Sequence, residues 1–201
     1  MKKYFICVNV QGFYNTFISK LEKEGFDKHN SSHYLIMCGN LFGANTLSQS
    51  KDLLRWLIRF NETGRLIIIK SEFEDAMEYL WDKVTELVYI YDGYGPHWEF
   101  LPMQKRKQFA AICTVRALTD YRPGELLRDY HHSDDPMIIR LTPYMKLIRT
   151  AIPYCVLDNY IIFHKHSSVA NQLRKMDTEK KKLELSGHYF SSKINMLVIE
   201  E

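Results

Sequence analysis

An apolar run ends in a polar turn at Leu35-Ile36-Met37-Cys38-Gly39-Asn40, and similar junctions before and after this one decide the fold. The earlier junction runs from Lys3 to Val10 and leads into Gln11-Gly12, and the later one joins Leu66–Ile69 to Lys70-Ser71-Glu72. Short apolar runs that stop at such turns are typical of buried strands. The pattern therefore predicts three strands, each with a polar turn at its carboxyl end.

A helical pattern follows each of these strands. The predicted helices run from Tyr14 to Glu24, from Ser48 to Phe60 and from about Phe73 to Leu87. Strands that alternate with helices form a parallel sheet covered by helices, and functional side chains gather at the carboxyl ends of its strands. We therefore expect an α/β fold whose three polar turns share one edge.

The pattern changes in the second half of the chain. Turn signals interrupt helical pieces over residues 89–150, which predicts a helical insertion. Two short runs, Tyr154 to Val156 and Tyr160 to His164, flank the turn Leu157-Asp158-Asn159 and predict a hairpin in a second sheet. A helix from Ser167 to Met176 and a final strand from Ile194 to Ile199 complete the prediction.

The bulk properties fit one domain over residues 1–201. No apolar run is long enough to span a membrane and no signal-peptide pattern is present, so we expect a cytoplasmic protein without membrane contact. The four cysteines lack CxxC spacing and suit buried thiols. A net charge of +3 is too small by itself to argue for nucleic acid.

With the turns in place, the chain resembles the calcineurin-like metallophosphoesterases, especially the small serine/threonine-type protein phosphatases of bacteria and bacteriophages. That family shows the motifs DxHG, GDxxDRG and GNHE, then a late strand-ending histidine and a GH pair. The matching positions are Asn9–Gly12, Gly39–Asn45, Ser71–Glu74, His164 and Gly187-His188. The resemblance implies a two-sheet sandwich flanked by helices, and it makes the segment after Gly187-His188 a shortened C-terminus.

Most of the family's catalytic residues are replaced. The ligands of its first metal correspond to Asn9 and Gln11, and the bridging aspartate corresponds to Asn40. The histidine that protonates the leaving group corresponds to Phe73, and the phosphate-clamping arginine to Ala44. Two divalent cations at about 3.7 Å repel by about 18 kcal/mol at an effective dielectric of about 20, which neutral amides do not offset. We expect no two-metal centre and no residue with a catalytic role.

A single metal site is one interpretation of what remains. The resemblance assigns His164 and His188 to the second metal, and Glu72 stands where the family has an asparagine. With Asn40 as a weak fourth oxygen, these residues suit one zinc or manganese ion at most. The competing interpretation, that the histidines are hydrogen-bonded relics and Glu72 is solvated, requires no cofactor.

Two functions from different classes follow from these interpretations. The first is an inactive pseudophosphatase that binds or regulates a protein, in a phage setting a host or defence protein. The alternative is a divergent single-metal phosphoesterase or nuclease that uses Glu72, His164 and His188. A phosphate or nucleotide sensor is a third reading, which the loss of arginine at Ala44 weakens. Nucleic-acid binding through Lys105-Arg106-Lys107 or Lys180-Lys181-Lys182 is a minor alternative, because solvated faces explain both clusters.

Overall fold

A computed structural model describes residues 1–42, 47–72, 74, 75, 78, 145–186 and 194–201. Most of the predicted insertion of residues 89–150 lies outside these ranges, as do Ala44, Phe73 and His188, so the predictions made for them stay predictions. Within the described ranges the elements are β1 (Lys3–Val8), α1 (Tyr14–Lys23), β2 (His33–Cys38), α2 (Leu47–Asn61), β3 (Leu66–Ile69), β4 (Tyr154–Val156), β5 (Tyr160–His164), α3 (Ala170–Lys175), β6 (Lys181–Leu185) and β7 (Asn195–Glu200).

The strands form two mixed sheets. The first has the order β3-β2-β1-β7, in which β1, β2 and β3 are parallel and β7 runs antiparallel to β1. The second has the order β4-β5-β6, with β4 antiparallel and β6 parallel to β5. The parallel arrangement of β1 to β3 and the hairpin of β4 and β5 are as predicted from the sequence.

The two sheets pack face to face, with helices outside. Side chains alternate along a strand, so on β1 Ile6 faces the second sheet while Phe5 faces α1 and α2. Ile6 and Ile36 share a buried cluster with Cys155 and Ile162 of the second sheet. On the outer face of that sheet, β5 packs against α3. The predicted α/β sandwich flanked by helices is therefore confirmed.

The boundaries differ from the predicted ones at two informative places. The first strand stops at Val8 and not at Val10, because Asn9 has a positive φ of 52°, which extended backbone does not allow. The sequence pattern also does not predict β6. Leu183 and Leu185 alternate and pack against the core, but the strand begins with Lys181 and Lys182, which hide the pattern. In the described part of the chain, no helix combines the length and apolar character needed to cross a bilayer.

Candidate functional site

The polar turns after β1 and β2 lie side by side at the carboxyl edge of the first sheet. Gln11 donates its backbone N–H to the carbonyl of Asn40 at 2.9 Å, and Gly12 donates to the carbonyl of Leu41 at 2.9 Å. Three non-glycine residues of these turns have left-handed backbones, with φ of 52° at Asn9, 51° at Gln11 and 47° at Asn40. Such conformations cost energy and persist where surrounding contacts fix them, most often at functional sites.

Gly39 has a role that only glycine can fill. Its φ is +65°, and a Cβ there would lie 2.5 Å from His164 Cδ2 and 2.8 Å from the Cβ of Ser71. The turn after β2 thus contacts Ser71, which follows β3 of the first sheet, and His164, which ends β5 of the second sheet. This close approach brings the turn after β2 against the second sheet.

Glu74 is the polar anchor of this edge. Its side chain is 1% exposed, and its two oxygens accept backbone N–H bonds from Asn40 at 3.2 Å, Leu41 at 3.0 Å and Ser71 at 2.9 Å. The hydroxyl of Ser71 also bonds to it. A buried carboxylate that receives this many donors is well satisfied and fixes the turns that supply them.

Asn40 is bound into the same network. Its Oδ1 lies 2.7 Å from the Ser71 hydroxyl, and its backbone N–H donates to that hydroxyl at 3.2 Å. The hydroxyl of Ser71 has one proton for two acceptors, the Asn40 amide oxygen and the Glu74 carboxylate. The amide oxygen of Asn40 therefore shares the Ser71 hydroxyl with the carboxylate of Glu74.

His164 ends β5 and crosses to the turn after β1. The backbone N–H of His166 donates to its Nδ1 at 3.2 Å, so in the neutral ring the proton lies on Nε2. That nitrogen faces the side-chain oxygen of Asn9 at 3.2 Å and donates to it. Burial lowers the pKa of His164 to about 4, with a smaller lowering by His166 and an opposing effect of Glu72. His164 is a neutral imidazole that joins the two sheets.

The residues predicted to bind one metal are only partly brought together. His164 and Asn40 lie at the same edge, but both ring nitrogens of His164 and the amide oxygen of Asn40 have partners within the protein. Glu72 is half-buried and near enough to His164 to affect its pKa. Among the residues described, no three His, Cys, Asp or Glu side chains are grouped to hold a metal ion. His188 lies outside them, so the four-residue site stays a prediction.

The sequence pattern missed the role of Glu74. It singled out Glu72, but both residues are helical, and positions two apart on a helix point to nearly opposite sides. Glu74 points into the edge and is buried, whereas Glu72 keeps partial contact with solvent. The available signal was a carboxylate that follows Ser71 by three residues, which is the spacing of a capping box.

The basic segment Lys180-Lys181-Lys182 is used within the protein. The ammonium of Lys180 donates to the carbonyls of Leu157 at 2.7 Å and Asp158 at 2.8 Å. Lys182 donates to the carbonyl of Arg174 at 3.1 Å, at the end of α3. Two of the three charges therefore serve tertiary contacts, and this cluster gives little support to nucleic-acid binding.

Comparisons with known proteins give a likeness of fold. No family model matches the chain, and no curated protein matches it. Among solved structures, the chain is similar to a protein serine/threonine phosphatase from Saccharomyces cerevisiae, itself described as similar to human phosphatase PP5. The sequence identity is 8%, the TM-score is 0.41, and the match covers 81% of this chain. This chain spans 38% of the length of that structure.

Proposed function

We propose that this protein is a pseudophosphatase, which acts by binding a protein partner and does not hydrolyse phosphoesters. The observation that carries the proposal is the internal hydrogen bonding of Asn9, Asn40 and His164 at the polar edge. The side chain of Asn9 is paired with His164, and the amide oxygen of Asn40 with the hydroxyl of Ser71, which also bonds to Glu74. These three groups, at positions that bind metal in the family that the sequence resembles, are here hydrogen-bonded within the protein.

The chemistry of the replaced positions supports the same proposal. Amides at Asn9 and Asn40 supply no charge to offset a pair of divalent cations. The sequence also has Phe73 in place of a proton donor and Ala44 in place of a phosphate-binding arginine. Loss of a general acid alone typically lowers a rate by about 10² to 10⁴. Hydrolysis would have to proceed without a pair of metal ions, without a general acid and without an arginine that binds the phosphate.

The test of inactivity is a phosphatase assay on the full chain. We expect p-nitrophenyl phosphate to be hydrolysed no faster than in buffer, with manganese or zinc added. The variants His164→Ala and His188→Ala should behave like the unsubstituted protein. Metal-dependent turnover that His188→Ala abolishes would overturn the proposal.

A single-metal phosphoesterase or nuclease is the second candidate. One observation favours it: the charge of Glu72 raises the pKa of His164, against the larger lowering by burial, so both residues belong to the same edge. With His188 and Asn40, this pair would hold one zinc or manganese ion, which would act as a Lewis acid. The purified protein would then contain about one equivalent of metal and melt at a higher temperature with zinc or manganese. Protein that lacks metal and shows no thermal shift would rule this candidate out.

The proposed partner is a protein, and in a phage setting a host or defence protein. Affinity purification of the tagged chain from its native host should recover a stoichiometric partner. The variant Glu74→Gln, which loosens the turns, would show whether the polar edge takes part in binding. A chain that elutes alone at native expression levels would contradict the binding role.

A further inference from the structure

A second concave site lies away from the polar edge, between α2 and the loop that joins α1 to β2. It encloses ≈ 510 Å³, within the range of about 300–1,000 Å³ that binding pockets occupy. Its long wall is one face of α2, from Asp52 through Trp56 to Phe60, continued by Thr63 of the turn that follows. The opposite wall is formed by Lys28 and His29 of the loop. We call this site the α2 cleft, and it contains none of the residues of the polar edge.

The rim of the α2 cleft is positively charged. Lys28, Arg55 and Arg59 are set against one acidic side chain, Asp52. Asp52 lies 3.3 Å from Arg55 and offsets that charge. Lys28 and Arg59 are both exposed, and neither forms a side-chain ion pair within the described residues. The charges left over favour an anionic ligand.

The floor of the cleft is aromatic. Trp56 and Phe60 lie on consecutive turns of α2, and Tyr14 adds a third ring from the start of α1. Phe60 is buried, whereas Trp56 and Tyr14 are partly exposed. Tryptophan, tyrosine and arginine are the residue types that contribute most to binding energy at protein interfaces. Here all three types line one concave surface.

The loop wall is held in a fixed shape. Arg65, the residue before β3, donates to the carbonyl of His33 at 3.0 Å and also to the carbonyls of Lys28 and Asn30. Asp27 accepts a backbone N–H from His29 at 2.8 Å. A wall that is already ordered loses little conformational entropy when a ligand binds. The α2 cleft is thus formed before any partner arrives.

The ring geometry argues against a nucleotide. Trp56 and Phe60 are stacked on each other, with centroids 5.2 Å apart and planes at 18°. The Phe60 ring also carries the Arg65 guanidinium at 5.1 Å from its centroid. A base needs a free aromatic face for stacking, and the ring of Phe60 is already engaged by Trp56 and Arg65. The cations of the rim and the partly exposed Trp56 suit a peptide that carries carboxylates and one apolar side chain.

We propose that the α2 cleft binds an acidic segment of a partner protein, anchored by one aromatic or large apolar side chain. Asp52 to Phe60 spans about 12 Å at about 1.5 Å per residue, which matches about four residues of extended peptide. Carboxylates of the segment pair with Lys28 and Arg59, and the anchor contacts the edge of Trp56. This inference rests on the protein-binding part of the proposed function.

The test is a selection of random heptapeptides displayed on phage against the full chain, with counter-selection against Arg59→Glu. We expect the recovered peptides to be rich in Asp and Glu and to contain an aromatic or large apolar residue. A recovered peptide, labelled with fluorescein, is then titrated into the variants Lys28→Glu and Arg59→Glu. Each should weaken binding by about tenfold or more.

Lys175→Glu is the matched control, because it makes the same change of charge on exposed α3, far from α2 in the fold. It should change the affinity by less than about twofold, apart from long-range effects that salt screens. Equal weakening by Lys175→Glu, recovery of neutral or basic peptides, or no recovery would overturn the assignment. Displacement of the peptide by ATP but not by inorganic phosphate would assign the cleft to nucleotides and also overturn it. The phosphatase assay is independent, so failure here leaves the proposal of inactivity intact.

Discussion

His164 is neutral in the folded protein and protonatable in the unfolded chain. Its ordinary pKa of 6.5 falls to about 4 on folding, mainly because the ring is buried. Between these values the unfolded state binds a proton that the folded state does not, so stability falls as pH decreases from about 6.5 to about 4. The pKa shift corresponds to a loss of about 3 kcal/mol in unfolding free energy once the pH has fallen below about 4.

Urea unfolding at several pH values would measure this effect. The variant His164→Gln is less stable at neutral pH but should lose the part of the pH dependence that lies between about 4 and 6.5. The pKa of Asp75 is raised by burial, which acts in the opposite direction, and it is present in both proteins. An unchanged pH dependence in His164→Gln would contradict the neutral assignment.

Glu74 should matter more for stability than any exposed acid. In Glu74→Gln, an amide NH₂ replaces an oxygen that accepts N–H bonds, so buried donors of Asn40, Leu41 or Ser71 lose their acceptor. Each unsatisfied buried group costs about 1–3 kcal/mol, and we expect a total loss of about 2–4 kcal/mol in unfolding free energy. The exposed Glu62→Gln should change it by less than about 0.5 kcal/mol. Similar values for the two variants would show that the anchor contributes little.

At the scale of elements, alanine substitutions of two glycines would distinguish the cost of backbone strain from the cost of a packing clash. Gly39 and Gly64 have nearly the same φ, +65° and +69°, but a Cβ at Gly64 meets nothing within 4 Å. Gly64→Ala should therefore cost about 1–2 kcal/mol from the left-handed backbone alone. Gly39→Ala adds a clash of the new Cβ with His164 and Ser71, so its unfolding free energy should fall by at least about 2 kcal/mol more.

Thermal unfolding of the two variants, followed by circular dichroism, measures the difference. Equal melting temperatures would mean that the turn after β2 moves away from β5 without cost. A larger loss in Gly39→Ala would show that contact between the turn and the second sheet is part of the folded state.

The elements were predictable where a single periodicity dominates. β1, β2 and β3 are short apolar runs, and the β4–β5 hairpin has a polar turn between alternating residues. β6 was not predictable, because two lysines begin it and the ammonium of Lys182 is placed by a tertiary contact with the carbonyl of Arg174. The position of Asn40 at the edge followed from topology, whereas that of His164 followed from the resemblance. The capping-box spacing from Ser71 pointed to Glu74, but its burial depended on how the helix packs against the edge, which spacing alone does not determine.

At the scale of the whole molecule, the three thiols within the described residues lie inside the sandwich and under the helices. Cys7, Cys38 and Cys155 are buried, and burial raises the pKa of all three, that of Cys155 to about 11. Little thiolate exists at pH 8, so folded protein should react slowly with a disulfide reagent such as DTNB. In a Cys113→Ser background, concentrated urea should release these thiols together. Fast reaction of one thiol in the native protein would show that its part of the fold opens locally.

Asn40 and Glu74 also limit how this protein can change over evolutionary time. Asn40→Asp alters a single atom type, yet it would place a second carboxylate one hydroxyl away from buried Glu74. Among the described residues, no lysine or arginine pairs with Glu74 to offset that charge. An acidic residue at position 40 is therefore unfavourable unless a cation arrives together with it. The anchor that stabilises these turns makes a gain of charge beside it hard to reach one substitution at a time.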